Sequence, residues 1–472
     1  MHVIIQRPRR FRRRGWIVIA ILLLAVILIG AAGAVSASLQ AQGQPHYQSA
    51  VGTPIFLPSP THSANGAHTG SGANLSLPSP IIGPASNGLP PSLPTRSGMI
   101  YANRNGVYLL RANVALPEKL NTPGYSALVP PLLTSKGQLL YAGNGLYLLD
   151  LFRFFEGETT TPLQIANIDT QKQVIASMAM SADGQEIFWS VEPHNGSGAI
   201  SLYEAALTAA GSVSPTLLYE QPANTCPCYM IFGLSRADIH GAASLLLTDN
   251  LGTPADQGTG LWAFNQDQQQ VGQEMLAEDQ GQAPLALSPD HTLLAFAPTT
   301  GVVPEPTDNS VPAQIGSQPY GNSLSVVGWN GSGTGNPVMI VPPQTNVHSF
   351  SAYHWITTPI ISSDNKSLAY IQFSSDDTGP YDRHSALYVA DTKGNSPPTV
   401  VANFSARLVE LGGWLDNHTL LLYADNGIYA MDTQTAAISL LAVVNGYSNI
   451  IGLVHIPATP PGGSHCALQC TP

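Results

Sequence analysis

The sequence predicts an all-β fold: a seven-bladed β-propeller, with six blades as the fallback, preceded by one transmembrane helix and a disordered Pro/Ser/Gly linker. Three observations predict the ring. Seven times between residues 98 and 435 a short strand ends in an aromatic or large apolar residue, a loop follows, and a second strand reads roughly apolar, aromatic, x, x, polar. The second halves open at Val107-Tyr108, Leu146-Tyr147, Leu202-Tyr203, Leu261-Trp262, Leu324-Ser325, Leu387-Tyr388 and Ile428-Tyr429, the fifth being weakest because Ser325 replaces the aromatic. Units of short strands and turns recurring at roughly 40 to 60 residues are the mark of stacked propeller blades. Composition agrees, since 44 Gly, 39 Pro and only 10% charged residues leave many turns and no long amphipathic helix. Finally, the apolar run Ile450 to Ile456 follows the last unit without a partner, while the first lacks a strand before Met99; joining them removes two exposed edges.

Taken from the amino end, residues 1–14 form a basic cytoplasmic stub carrying Arg7, Arg9, Arg10, Arg12, Arg13 and Arg14, too short to be a cytoplasmic domain. Residues 15–37 read as a transmembrane signal anchor: Trp16 to Ala37 is a 22-residue uncharged, almost wholly apolar run. That length spans about 30 Å of hydrocarbon as a helix. The flanking arginines favour the cytoplasmic side, so the topology is N-terminus cytoplasmic, propeller extracytoplasmic. The alternative is a cleaved signal peptide, for which Val35-Ser36-Ala37 offers small residues, although the run exceeds the roughly 7–15 residues of most signal-peptide cores. Residues 38–97 read as a disordered neutral linker, because Ser38 to Thr95 holds no Asp, Glu, Lys or Arg and cannot bury enough apolar surface to offset its ordering entropy. As a flexible coil it reaches about 40 Å.

The propeller is assigned to residues 98–457, as one large domain. Its fullest turn phrase is Ser288-Pro289-Asp290-His291 before Leu293-Leu294-Ala295-Phe296; beside it stand Ser181-Ala182-Asp183-Gly184, Ser363-Asp364-Asn365-Lys366 and Leu415-Asp416-Asn417-His418. An Asp or Asn there bonds the backbone two residues on and closes a tight turn. These phrases resemble the WD40-like repeats of the TolB type, with their Ser-Pro-Asp-Gly turn, Ile-Ala-Phe strand and Tyr-Val-x-Asp strand. The resemblance covers most of residues 98 to 456 and is close at 181, 288 and 363. Blades 1, 2 and 4 depart from it, carrying Arg96-Ser97-Gly98, Ser135-Lys136-Gly137 and His240-Gly241-Ala242. It implies the propeller fold. A role like that of TolB is not implied, since TolB is six-bladed with an additional amino-terminal domain.

The formal net charge of −11 conceals an asymmetry. Beyond residue 97, 11 Lys and Arg face all 29 Asp and Glu, which puts the repeat region at −18. Such a surface repels phosphate backbones and excludes nucleic acid as a partner. The expected partners are the membrane, through residues 15–37, and an extracytoplasmic protein or carbohydrate.

In a propeller the turns after the innermost strands open on one face and the loops joining second to third strands open on the other. The latter are minimal in blades 1, 2 and 7 (Asn103 to Gly106, Gly143 to Gly145, Asp425 to Gly427) and long in blades 3 to 6 (Ser190 to Gly198, Asp249 to Gly260, Pro298 to Asn322, Ser374 to Ser385). Long loops on a ring of blades are where binding concentrates. They supply the candidate ligand-binding residues Glu192, His194, Asp256, Glu305, Asp308, Tyr320, Asp376, Asp377, Tyr381, Asp382, Arg383 and His384, and the return loop before blade 6 adds His348, Tyr353, His354 and Trp355. Carboxylates beside aromatic planes suit sugars or a divalent cation. The blander alternative is a solvated, variable surface.

No HExxH, GxSxG or P-loop occurs, and no catalytic residue, metal site or cofactor is assigned, though a structural or ligand-bridging divalent cation is left open. A propeller glycosidase or lyase needs only two or three carboxylates and stays as an alternative. The residues 458–472 form a tail holding Cys466 and Cys470, and Cys226 and Cys228 form the other close pair. Bridges from tail to blade 3–4 loop, local bridges within each pair, or a zinc site are the alternatives. The expectation is a membrane-anchored extracytoplasmic binding or scaffold module, with a polysaccharide-cleaving propeller and a structural part of an envelope complex as rivals.

Overall fold

Strands covered on both faces by neighbouring sheets are rich in apolar residues, and two second strands of the ring, Ser97–Asn103 (β1) and Thr419–Ala424 (β25), are buried at every residue. The computed structural model describes residues 91–455 except 113, 115, 135–136, 156–159, 182–183, 195–198, 208–213, 223–224, 226, 236–243, 250–258, 267, 277–281, 298–322, 329–334, 344–353, 375–383 and 405–408. Within them the strands form seven four-stranded antiparallel sheets.

Blade 1 runs from Asn449–His455 (β28) through β1 and Gly106–Arg111 (β2) to Glu118–Lys119 (β3). Blade 2 is Leu132–Leu133 (β4), Gln138–Ala142 (β5), Gly145–Asp150 (β6) and Leu163–Asn167 (β7), with one short helix, Leu151–Phe155 (α1), before β7. Blade 3 is Gln173–Met180 (β8), Glu186–Pro193 (β9), Ile200–Ala206 (β10) and Thr216–Gln221 (β11). Blade 4 is Tyr229–Leu234 (β12), Leu245–Asp249 (β13), Thr259–Asn265 (β14) and Gln270–Leu276 (β15). Blade 5 is Gln282–Leu287 (β16), Leu293–Ala297 (β17), Leu324–Gly328 (β18) and Val338–Val341 (β19). Blade 6 is His354–Ile361 (β20), Ser367–Ser374 (β21), His384–Asp391 (β22) and Thr399–Phe404 (β23). Blade 7 is Val409–Trp414 (β24), β25, Gly427–Asp432 (β26) and Ile438–Val443 (β27).

Seven blades, not the six of the fallback, close the ring, and the last strand closes it. β28 pairs antiparallel with β1, placing Met99 opposite Leu453 and Gly98 opposite Val454, so the carboxy-terminal strand becomes the innermost strand of the first blade. The hydrophobic core is divided among the seven blade interfaces. Leu421, Tyr423 and Ile428 of blade 7 pack with Met99, Tyr101 and Leu110 of blade 1, and equivalent clusters fill each of the other six seams. Buried hydroxyls and amides cross some seams as well. The Ser177 hydroxyl lies 2.6 Å from that of Ser190 in blade 3 and accepts the Ile231 N–H of blade 4 at 2.8 Å. The Trp414 indole N–H of blade 7 donates to the Ile360 carbonyl of blade 6.

In four of the seven repeats the aromatic has a stacked cross-strand partner, whereas Trp262 faces Leu247 in blade 4 and Tyr429 faces Leu422 in blade 7. Tyr101 faces Tyr108, Tyr141 faces Tyr147, Trp189 faces Tyr203 and Tyr370 faces Tyr388 across the second and third strands, each pair stacked at 5.2–5.5 Å between centroids. Such cross-strand pairs fix the register of a sheet. In blade 5 Phe296 faces Ser325 and the stack is lost, which is why that copy is the weak one.

Three of the four expected aspartate turns form, while Asp183 lies outside the described residues. Asp290 accepts the Thr292 N–H at 3.1 Å, Asp364 that of Lys366 at 3.1 Å, and Asp416 that of His418 at 2.7 Å. In blade 6 the motif serine is Ser362, one residue earlier than the sequence alignment of the turns placed it: its hydroxyl donates to Asp364 as that of Ser288 donates to Asp290. His291 and Asn365 take the left-handed backbone (φ 59° and 60°) that Gly184 supplies in blade 3. The transmembrane and linker assignments up to residue 90, and the cysteine tail, lie outside the described residues. Among the described residues no helix is long and apolar enough to cross a membrane.

Candidate functional site

Each sheet runs inner to outer strand in the same antiparallel order, so all the loops between second and third strands, and the returns between blades, leave the ring on one face. Blade 7 turns there in two left-handed residues, Asp425 (φ 39°) and Asn426 (φ 69°), the geometry that matches the twist of a tight hairpin. Blade 1 turns between Asn103 and Gly106, with Asn103 accepting the Asn105 N–H at 2.8 Å, and blade 2 turns between Ala142 and Gly145. By contrast the strands of blade 4 are interrupted from Asp249 to Thr259, those of blade 5 from Ala297 to Leu324 and those of blade 6 from Ser374 to His384. Blade 3 is intermediate, because β9 continues to Pro193.

That extension moves Glu192 from the loop, where its sequence position put it, into strand β9, paired with Val174. It is half-buried, and burial pushes its carboxyl pKa up; the nearby His194 partly opposes the shift. The imidazole Nε2 of His194 lies 2.7 Å from the Thr170 carbonyl, which only accepts, so this nitrogen carries the proton. The His194 backbone N–H also donates to the Lys172 carbonyl, tying the blade 3 loop to the return before it.

His354 and Trp355 likewise belong to a strand rather than a loop, since both pair with β21. His354 opens the innermost strand of blade 6, and burial lowers its imidazole pKa. Trp355 is 1% exposed, so its indole is part of the core. His354 and His384 occupy one cross-strand row, on either side of Ser374. Asp256, Glu305, Asp308, Tyr320, His348, Tyr353, Asp376, Asp377, Tyr381, Asp382 and Arg383 lie outside the described residues, as do Cys226, Cys466 and Cys470.

Three features of this face escaped the sequence. Gln221, 4% exposed, clamps the return into blade 4: its amide donates to the carbonyls of Thr225 and Pro227 and accepts the Tyr229 N–H. Asp249, 6% exposed, accepts the Cys228 N–H at 2.5 Å, so the described member of the first cysteine pair sits in an anchored turn. On the plain arc, Tyr447 donates to the Glu410 carboxylate at 2.6 Å and meets the Tyr423 ring edge-on at 5.5 Å. Burial, with help from the Glu410 and Asp425 charges, outweighs the Asn426 N–H bond and pushes the Tyr423 phenol up to about 12. A cavity of about 660 Å³ also opens on this face beside blade 1, between the Arg104 turn and the Lys119 to Tyr125 return. Among the described residues no group of three or more His, Cys, Asp or Glu converges as a metal site.

No family model matches the chain, and no curated protein matches it. Solved structures do. The Pseudomonas aeruginosa periplasmic gluconolactonase PpgL is 12% identical at a TM-score of 0.45, over 76% of this chain and 99% of that one. A structure assigned as TolB from Agrobacterium tumefaciens is 12% identical at 0.35, over 77% and 100%, and the Dos1 propeller 10% identical at 0.41, over 74% and 84%.

Proposed function

We propose that the chain is an extracytoplasmic binding or scaffold propeller, held to the membrane by residues 15–37, that takes a protein or carbohydrate ligand on the loop face of blades 3 to 6. The observation that carries this reading is an asymmetry. Seven similar sheets close one ring, yet the long interruptions between second and third strands gather in blades 4, 5 and 6 and leave by a single face. A closed ring costs no reorganisation when a ligand docks, and loop length is where such a scaffold varies its chemistry. The charge of −18 beyond residue 97 disfavours nucleic acid.

Glu192 favours a second reading. A half-buried carboxyl with its pKa raised by burial has the property of a general acid, as a polysaccharide-cleaving propeller would need. Presenting the purified full chain to a panel of neutral and acidic glycans, with product analysis, separates the two: binding without turnover supports the module, and turnover supports the enzyme. A place in an envelope complex is tested by cross-linking in intact cells, and recovery of no protein neighbour counts against it.

A further inference from the structure

The blade 1 cavity lies on the plain arc of the ring, away from the loops invoked above, and its lining has a chemistry of its own. Arg104 stands on the turn between β1 and β2, and Lys119 on the outer strand β3, opposite Tyr108. Among the described cations, Arg111, Arg153, Lys172 and Lys366 each hold a carboxylate within 4 Å, and Lys393 lies in the field of Asp391. Among the described residues Arg96, Arg104 and Lys119 have no such partner, and of these Arg104 and Lys119 line the cavity. The acid nearest in sequence, Glu118, points to the other side of its strand and pairs with Arg111 at 3.3 Å.

Lys119 is held at the cavity by the absence of a side chain. A Cβ on Gly106 (φ 145°) would fall 2.6 Å from Lys119 Cε and 3.3 Å from its Nζ, so the lysine lies across bare backbone. The other lining residues are neutral, among them Asn105, Asn121, Thr122 and Tyr125. Burial pushes the Tyr125 phenol up to about 12, and the ring is set against Tyr141 at 6.4 Å.

From these groups we infer that the blade 1 cavity is a binding site for a short acidic saccharide, whose carboxylate is taken by Arg104 and Lys119, hydroxyls by the amides and Thr122, and ring face by Tyr125. Two cations without an ion-pair partner lining one opening suit an anion. Amides beside an aromatic plane match a sugar better than a bare inorganic ion. The site is an open groove whose volume falls in the range of small-ligand sites, and the acidic remainder of the ring repels long polyanions while leaving the local pair effective within a Debye length of about 8 Å. The site uses no residue of blades 3 to 6, so it stands or falls apart from the function proposed above.

Titration calorimetry of the full chain with digalacturonate, its dimethyl ester and inorganic phosphate tests it. The acid is expected to bind at least tenfold more tightly than the ester, and R104Q/K119Q to weaken it about tenfold or more with unchanged thermal unfolding. Should the double variant unfold, K119Q alone carries the same expectation of weaker binding. Equal binding of acid and ester, no binding of either, retention by the variant, or phosphate binding at least as tight as digalacturonate each overturns the proposal.

Discussion

Gly412 reports directly on whether the last strand closes the ring. It is the extra residue of a bulge in β24, and a Cβ placed on it would fall 2.4 Å from Ile450 Cβ and 2.5 Å from Ile450 Cδ1, on the closing strand β28. Real Cβ atoms do not approach so closely, so G412A must push the two inner strands apart, a cost of about 1–3 kcal/mol for an overpacked contact. I450G removes the opposing side chain and costs about 2–4 kcal/mol on its own. If the two residues touch as described, the double variant should cost little more than I450G, giving a coupling of about 1–3 kcal/mol in the relieving direction. Urea unfolding of the full chain and the three variants, followed by tryptophan fluorescence and compared at equal slope, measures it. Additivity within about 0.5 kcal/mol would refute the contact and with it the closure by β28.

Other predictions concern carboxylates. Asp290 joins blade 5 to blade 6, accepting Thr292 and Ser288 within its own turn and the Asn365 amide across the seam at 2.8 Å, so D290A should cost about 1–2 kcal/mol. D416A, which loses two backbone bonds within one turn, should cost about 0.5–1 kcal/mol, and equal losses in denaturant midpoint would contradict the role of the seam. The two kinds of carboxyl also respond oppositely to pH. Burial opposes the charge on Asp290, but its hydrogen bonds win and hold its pKa low, so its contribution is present above the unfolded value of about 3.9 and lost as pH falls further. Glu192 has a raised folded pKa, so its ionisation weakens the fold at neutral pH and the loss is recovered on acidification. E192Q should therefore raise the unfolding midpoint at pH 7 and leave it unchanged near pH 4; a lower midpoint at pH 7 would show that the charge is compensated.

The ring was readable because four of its blades repeat a local device. Tyr147 after Leu146 or Tyr388 after Leu387 is visible in sequence as an aromatic on a third strand, and the structure gives it a stacked partner one strand inward. The polar residue ending each phrase was seen but not explained. Asp150, Asn265, Asp391 and Asp432 accept backbone N–H groups of the turn to the outer strand, work parallel to that of the Asp290 turn on the same face. Strand ends were less legible, because periodicity does not mark where pairing stops: Glu192, His354 and Trp355 read as loop and are strand.

The site was harder still. Gln221 with Tyr229, Asp249 with Cys228 and Glu410 with Tyr447 are contacts between residues separated by turns or whole strands, with no local signature. Loop length served as the guide to function, and it passed over the shortest loops. The turn at Arg104 and the return at Lys119 to Tyr125 flank an open groove only because β3 folds back against β2.

Loop replacement tests the working face most directly. Residues 375–383 and 250–258 can each be exchanged for the Asp-Asn-Gly turn that serves blade 7, and the native and shortened full chains compared against the glycan panel and in cellular cross-linking. If blades 3 to 6 carry the binding face, thermal unfolding stays within a few degrees of the native chain and the captured glycan or protein is lost. Unchanged capture by a folded, shortened chain would contradict that assignment.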